Sequence, residues 1–262
     1  MIDKELLTKN IKNNEERQWI MKTLSKVESV CKGHIIKYTD FYDPYQIAVC
    51  VPTLNQIVEV KYLIAGGYEQ AERKVIIIYP EYMQVKKEDF PICAIRVTGK
   101  FEKNDLTHRD FLGAILNLGL KREKVGDILV RDGQADMIVS EELCDFIRMN
   151  LEKISKYRIN IEQITFDALI NVQEDFRLVC STVASLRLDA IIGVGFGESR
   201  NAISKLISND RVKVNFRPIN QPSYTIAEGD LISFKGKGRI ILDKIGNKTK
   251  KDKYQICIKR MI

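Results

Sequence analysis

The chain has 262 residues, 45% hydrophobic and 29% charged, with a formal net charge of +7. Such a composition can build real cores and excludes a disordered or fibrous chain. No stretch approaches the ~20 apolar residues that span a bilayer, and the polar start MIDKELLTKNIKNNEERQ lacks a signal peptide's apolar run, so neither membrane nor export is expected.

Residues 1–33 read as helix, because Leu6, Leu7 and Ile11, then Trp19, Ile20, Leu24 and Val27, keep an i, i+3/i+4 rhythm, and Gly33 stands where a C-cap belongs. Trp19 lies within that rhythm and is read as core. A second helix is expected after TDFYDPYQ, then a strand over Ile57–Ile64, the breaker Gly66-Gly67-Tyr68, and a β-rich run from Lys74 to Tyr79 that stops at Pro80. This makes an N-terminal α/β domain over residues 1–88, closed by the boundary Glu88-Asp89-Phe90-Pro91.

Residues 89–175 form a second expected domain. Its pattern predicts strand Ile92–Thr98, helix Thr107–Leu118, strands Asp127–Arg131 and Gln134–Val139, helix Glu141–Leu151 and strand Tyr157–Ile161, with Asp132-Gly133 as a two-residue hairpin turn. The order β-α-β-β-α-β is ferredoxin-like, the arrangement that RRM domains also use. RRM domains read bases with aromatic residues on their central strands. The corresponding strands here, GDILVR and QADMIV, carry none, so the topology is RRM-like without base stacking. At Thr107-His108-Arg109-Asp110, capping explains Thr107 and Asp110 but not His108 and Arg109. A helix N-terminus with an added arginine can hold a phosphate, which makes those two a secondary RNA contact. Residues 162–181 contain no Gly or Pro and read as an ordered connection.

The third expected domain covers residues 182–262 and carries the charge. It holds 16 Lys and Arg against 7 Asp and Glu, a net of +9, whereas the first 181 residues hold 26 against 28, a net of −2. Leu188, Ile191 and Ile192 mark a short helix. Ser199 caps a second one, on which Ile203, Leu206 and Ile207 form the core side and Arg200, Asn201, Ser204, Lys205 and Ser208 the other. Asn209-Asp210 closes that helix, Arg211–Asn215 alternates as a strand, and Glu228-Gly229-Asp230 turns into Leu231–Phe234. Gly193-Val194-Gly195-Phe196-Gly197 follows a helix rather than a strand, so it reads as a flexible turn between the helices, not a nucleotide loop. A basic loop, Asn247–Lys253, precedes a last strand at Tyr254, Ile256 and Ile258.

R-L-D, S-R-x-x-A-x-x-L-I, R-V-x-V-N and E-G-D-x-I, in that order, closely resemble the S-four RNA-binding domain and its αL motif. That family usually has glycine just before and just after R-V-x-V-N, where this chain has Asp210 and Phe216. Helix face, charge and resemblance together single out Arg187, Arg200, Asn201, Ser204, Lys205, Arg211, Lys213, Arg217, Lys235 and Lys237 as RNA-binding residues. Upstream, G-G-Y-x-x-A-E-R-K and THRDFLGAILNLGLKREKVGDIL are similar to the signatures of bacterial YlmH-type proteins. The resemblance covers essentially the whole chain. It implies a non-catalytic protein that binds ribosomal RNA, with transfer RNA as a further partner, on large ribosomal subunits with obstructed peptidyl-tRNA, in quality control or rescue.

The rival reading is an RNA-modifying enzyme, because Arg187-Leu188-Asp189 superficially resembles the R-L-D of pseudouridine synthases, whose Asp is catalytic. The residues on either side of the triplet depart from that pattern, and residues 1–181 show no nucleophile-base constellation or Walker loop. Six cysteines are scattered singly and only His34 and His108 could join them, which argues against a metal site, a cofactor and a disulfide framework. It argues for a reducing, cytoplasmic setting, and the chain is expected to be a monomer. The fold class expected is α+β in three small domains.

Overall fold

The computed structural model describes residues 3–86, 89–102, 105–131, 133–171 and 175–261, with all their side chains except those of residues 200 and 201. Glu88, Asp132 and Val172, which the sequence reading placed at a boundary, a hairpin turn and a connection, lie outside the described residues. The chain is α+β and divides into two compact units, residues 1–172 and 173–262.

In the first unit the expected N-terminal helix is two: α1 (Lys4–Thr8) and α2 (Asn14–Gly33). Local polar chemistry makes the break, since Asp3 caps α1 through Leu6 N and Asn13 caps α2 through Glu15 N. The left-handed C-cap residue is His34 (φ 50°), one beyond the expected Gly33. β1 (Lys37–Tyr38), α3 (Pro44–Leu54), β2 (Val60–Ala65) and β3 (Val75–Pro80) follow, and the strands pair antiparallel in the order β1-β3-β2. β3 is buried on both faces. Its Ile76 and Ile78 pack with Leu24 and Val27 of α2, while Val75 and Ile77 pack the other way, with Phe41, Ile92 and Ile138. Trp19 is half-buried against the first of these clusters, edge-on to Tyr45.

The same unit continues through β4 (Ile92–Gly99), α4 (His108–Asn117), β5 (Val125–Arg131), β6 (Gln134–Ser140), α5 (Cys144–Asn150), β7 (Lys153–Ile154) and β8 (Tyr157–Ile164). The sheet order β5-β6-β4-β8, all antiparallel, is the ferredoxin-like arrangement, extended by β7 at one edge. α4 and α5 cover one sheet face through Phe111, Ile115 and Ile147. The opposite face meets the N-terminal sheet.

That seam is built by the two stretches that resemble YlmH signatures. Asp127 accepts hydrogen bonds from Tyr68 Oη (2.8 Å), Glu72 N (2.7 Å) and Arg73 N (3.0 Å). Arg73 in turn donates to the carbonyls of Val125 and Phe41. A Cβ on Gly126 would stand 2.7 Å from the Phe41 ring, so only glycine lets the ring in. Burial pulls the Arg122 guanidinium down to about 10, with the neighbouring Arg73 cation adding to the shift. Deeper along the same face, Arg96 forks onto Asp136 with two 2.8 Å bonds, and Asp136, 0% exposed, also accepts from Ile170 N.

The second unit begins with a strand where an ordered connection was expected: β9 (Phe176–Val183). α6 (Leu188–Phe196), α7 (Arg200–Ser208), β10 (Val212–Val214), β11 (Arg217–Pro218), β12 (Leu231–Phe234), β13 (Gly238–Lys248) and β14 (Tyr254–Met261) complete it. All six sheet strands are antiparallel, in the order β11-β10-β12-β13-β14-β9. Most of Gly193–Gly197 is helix, not turn. Gly197 (φ 70°) ends α6, and a Cβ on Gly195 would stand 2.7 Å from Ile240, so that glycine serves close helix–sheet packing. Contrary to the sequence expectation, Cys180 and Cys257, direct partners across β9 and β14, form a disulfide.

Replacing Asp136 with Ala strands the Arg96 cation and Ile170 N in a nearly dry seam. Urea unfolding should then show a loss of about 3–5 kcal/mol, and an Arg96→Met, Asp136→Leu double variant should recover much of it.

Candidate nucleic-acid interface

The sequence-predicted residues fall mostly on α7 and the short β10–β11 hairpin. Ser199 caps α7, its Oγ accepting from Ala202 N at 3.4 Å. Ile203 and Ile207 are fully buried and Leu206 partly, which turns Lys205 to solvent and leaves Ser204 half-buried. Backbones of Arg200 and Asn201 form the first turn of α7, but their side chains lie outside the described set. Val212 and Val214 bury into the core, so alternation exposes Arg211 and Lys213.

A polar lock holds the hairpin. Asn215 Nδ2 donates to Asp230 (2.7 Å), and Asn215 Oδ1 accepts from Leu231 N (2.9 Å). The other Asp230 oxygen accepts from Ala227 N (2.8 Å), and Glu228 accepts from Ile245 N. R-V-x-V-N and E-G-D are therefore two halves of one fastening. Asn215 (φ 48°) and Phe216 (φ 67°) are both left-handed, as a type I′ two-residue hairpin requires. Asp210 is left-handed too (φ 54°). Both positions where the S-four pattern has glycine thus keep a glycine-like backbone, and the Arg239 guanidinium lies 5.6 Å over the Phe216 ring.

The remaining candidates separate by their partners. Lys205, Arg211, Lys213, Arg217 and Lys235 are exposed and make no ion pair among the described residues. Lys237 is paired with Glu198 at 2.6 Å. Arg187 forks onto Asp189 (3.2 and 2.9 Å), a carboxylate only 4% exposed, and this hydrogen-bonded ion pair raises the Arg187 pKa further. The R-L-D triplet is thereby a structural element: Leu188 N and Asp189 N donate to the carbonyls of Tyr224 and Pro222, pinning α6 to the loop before β12. In the first unit His108 and Arg109 are exposed at the start of α4. The carboxylate of Asp110 accepts from both Thr107 N and Thr107 Oγ, which holds it below its ordinary pKa. Arg109 lines a groove of about 570 Å3 with Asn117 and Lys153.

Two cations that sequence reasoning passed over, Arg239 and Lys259, lie on the other side of the six-stranded sheet from α6 and α7. The signal that could have found their surface is the period-two run Phe176-Leu178-Cys180, read above as connection. Among the described residues no cluster of three His, Cys, Asp or Glu side chains could hold a metal ion, and no helix is long and apolar enough to cross a membrane.

Fold and surface define an S4-domain RNA-binding protein. Three family models match in succession: "YlmH, N-terminal" over residues 15–83, "Putative RNA-binding domain in YlmH" over 85–168, and "S4 domain" over 186–232. Ribosome-associated protein quality control protein P2 of Bacillus subtilis (strain 168) is 37% identical over 248 residues, 94% of this chain and 95% of that protein. Small ribosomal subunit protein uS4 of Marinobacter nauticus is 39% identical over 54 residues, 20% of this chain and 26% of that one. Among solved structures, cell division protein ylmH from Streptococcus pneumoniae shares the fold, with a TM-score of 0.53 at 24% identity over 61% of this chain and 96% of its own. The chain belongs to the YlmH family.

If Arg187 serves Asp189 rather than a ligand, Arg187→Ala should lower the melting temperature while the slope of log RNA affinity against log salt stays that of the parent. A shallower slope at unchanged melting temperature would return Arg187 to the interface.

Proposed function

We propose that this chain is a non-catalytic RNA-binding protein that associates with the large ribosomal subunit, contacting ribosomal RNA and transfer RNA, in quality control or rescue of obstructed translation. It acts as a cytoplasmic monomer, with its second unit supplying most of the RNA affinity. The observation that carries this reading is the set of five exposed cations on α7 and the segments after it, Lys205, Arg211, Lys213, Arg217 and Lys235, without ion pairs among the described residues, in the unit that holds the whole net positive charge. The name of the Bacillus subtilis relative, which matches along 94% of the chain, supports the ribosomal setting. A-form RNA presents phosphates and 2′-hydroxyls in a shallow minor groove and is recognised largely by shape. A convex helix and hairpin bearing cations suit that surface. His108 and Arg109 are secondary contacts, through the exposed start of α4.

The absence of catalysis is supported at Asp189, the residue on which the rival reading depends. A catalytic carboxylate must reach its substrate, and this one is buried and forked by Arg187.

Cations that neutralise phosphates release counterions, so log affinity should fall linearly with log salt, by about 0.7–0.9 per phosphate. In a salt titration with an RNA hairpin, Lys205→Ala combined with Arg211→Ala should make the slope shallower by about 1.4–1.8 while the fold survives. A parent-like slope would move the interface elsewhere. Separately, ribosomal RNA incubated with the protein should return unchanged mass fragments, with or without a methyl donor. A new modification that vanishes in Asp189→Asn would overturn the non-catalytic reading.

A further inference from the structure

One face of the six-stranded sheet is covered by α6 and α7, and among the described residues no helix of the unit covers the other. Pairing register puts Lys213, Ser233, Arg239 and, at the far edge, Phe176 in one cross-strand row on the open face. The next row holds Ile241, Lys259 and Leu178. Phe176 is 49% exposed and Leu178 54%, on strand positions whose opposite face lies toward the core. Neighbouring on one strand face, these two side chains offer apolar surface to a partner.

Cations are interleaved with the rings. Lys259 Nζ stands 5.0 Å over the Phe176 ring, and Arg239 stands over Phe216 at the other end of the row. The one carboxylate that the described strands bring to this face, Asp243, is neutralised by Lys259 at 2.6 Å. The Ser233 hydroxyl in mid-row is buried without a hydrogen-bond partner among the described residues. Four inter-strand steps of ~4.8 Å separate β10, which carries Lys213, from β9, which carries Phe176, about 19 Å of track. Duplex phosphate needs no exposed rings, and an apolar protein surface needs no excess of cations. Rings at both ends with cations between them match unpaired nucleotides, whose bases stack on aromatic faces while the backbone follows positive charge.

We propose that this open face is a second RNA-binding surface, for single-stranded nucleotides, with Phe176 and Phe216 as stacking platforms, Lys213 and Arg239 as phosphate contacts, and Lys259 holding the Phe176 ring in place. It rests on the RNA-binding reading above and shares Lys213 with it, but Phe176, Arg239 and Lys259 are its own, on β9, β13 and β14, which lie outside the segment matched as an S4 domain. The track suits the low end of the ~4–16 nucleotides that single-strand-binding folds occupy.

The test uses the full chain with two probes, a ten-residue oligoadenylate and a fully paired RNA hairpin. Phe176→Ala should weaken oligoadenylate binding about 5- to 100-fold, leave hairpin binding and melting temperature unchanged, and be rescued by Phe176→Tyr, which keeps a ring. Lys205→Ala should do the reverse. Parent-like oligoadenylate affinity in Phe176→Ala overturns the proposal, as does equal loss of both probes. A parent chain that binds the hairpin but not oligoadenylate sinks this surface alone. Failure to bind either RNA sinks the RNA-binding reading with it. A parent that sediments as a dimer, made monomeric by Phe176→Ala, would assign the face to a second copy of the chain instead.

Discussion

Asp127, fastened to Tyr68, Glu72 and Arg73, closes the N-terminal sheet onto the ferredoxin-like one, and much of the molecule's chemistry follows from that closure. Once Phe41 and Ile77 lie against Ile92 and Ile138, the sheet face with which an RRM would meet bases is core. Arg96, a cation on that face, is turned inward to Asp136. On the helical side Arg109 is exposed. A ferredoxin-like topology by itself therefore says little about RNA here, because fold and site are separable.

In the second unit, residues of a recognition motif divide into those that shape the surface and those that form it. Asn215, Glu228 and Asp230 are occupied with backbone amides and with one another, and Arg187 with Asp189. Their service is geometric: a two-residue hairpin with left-handed residues has few ways to stay closed, and a side chain reaching across to Leu231 N removes the alternatives. What they leave pointing outward is Lys213 and Arg217, one on each side of the turn. A resemblance in sequence cannot separate these roles, since a structural arginine and a ligand-binding arginine look alike until their partners are known.

How far the residues alone could be read depended on whether the deciding contacts were local. Of the middle segment, Ile92 to Ile164, the long strands β4, β5, β6 and β8 were legible and the two-residue β7 was not, because alternation and caps act within a few residues while so short a strand carries no pattern. Ser199 and the core side of α7 were legible for the same reason. β9 was not. Seven of its eight residues are at least partly exposed, and its partner β14 comes some 77 residues later, the separation of Cys180 from Cys257, so neither burial pattern nor a hairpin turn announces it. The disulfide was hidden with the register that creates it. At Gly195 propensity pointed to a turn, and packing against Ile240 overrode it. Phe216 shows the converse, a tertiary setting that holds phenylalanine where glycine would be easier.

Charge completes the division between the units. Residues 1–172 carry −1 and residues 173–262 carry +8, so the near-neutral unit adds bulk without strengthening attraction to phosphate. At physiological ionic strength fields between exposed charges fade over about 8 Å. The spacing of cations within the basic unit therefore matters residue by residue. Lys237 and Lys259 illustrate the local limit: each is a cation by count, yet Glu198 and Asp243 hold them at 2.6 Å. A phosphate reaching either lysine must compete with a carboxylate already in place, whereas at Lys205, Arg211 and Lys213 it displaces only water and counterions. The cations that dominate affinity are then those without an ion pair, and the paired ones contribute chiefly by holding the turn or the ring beside them in position.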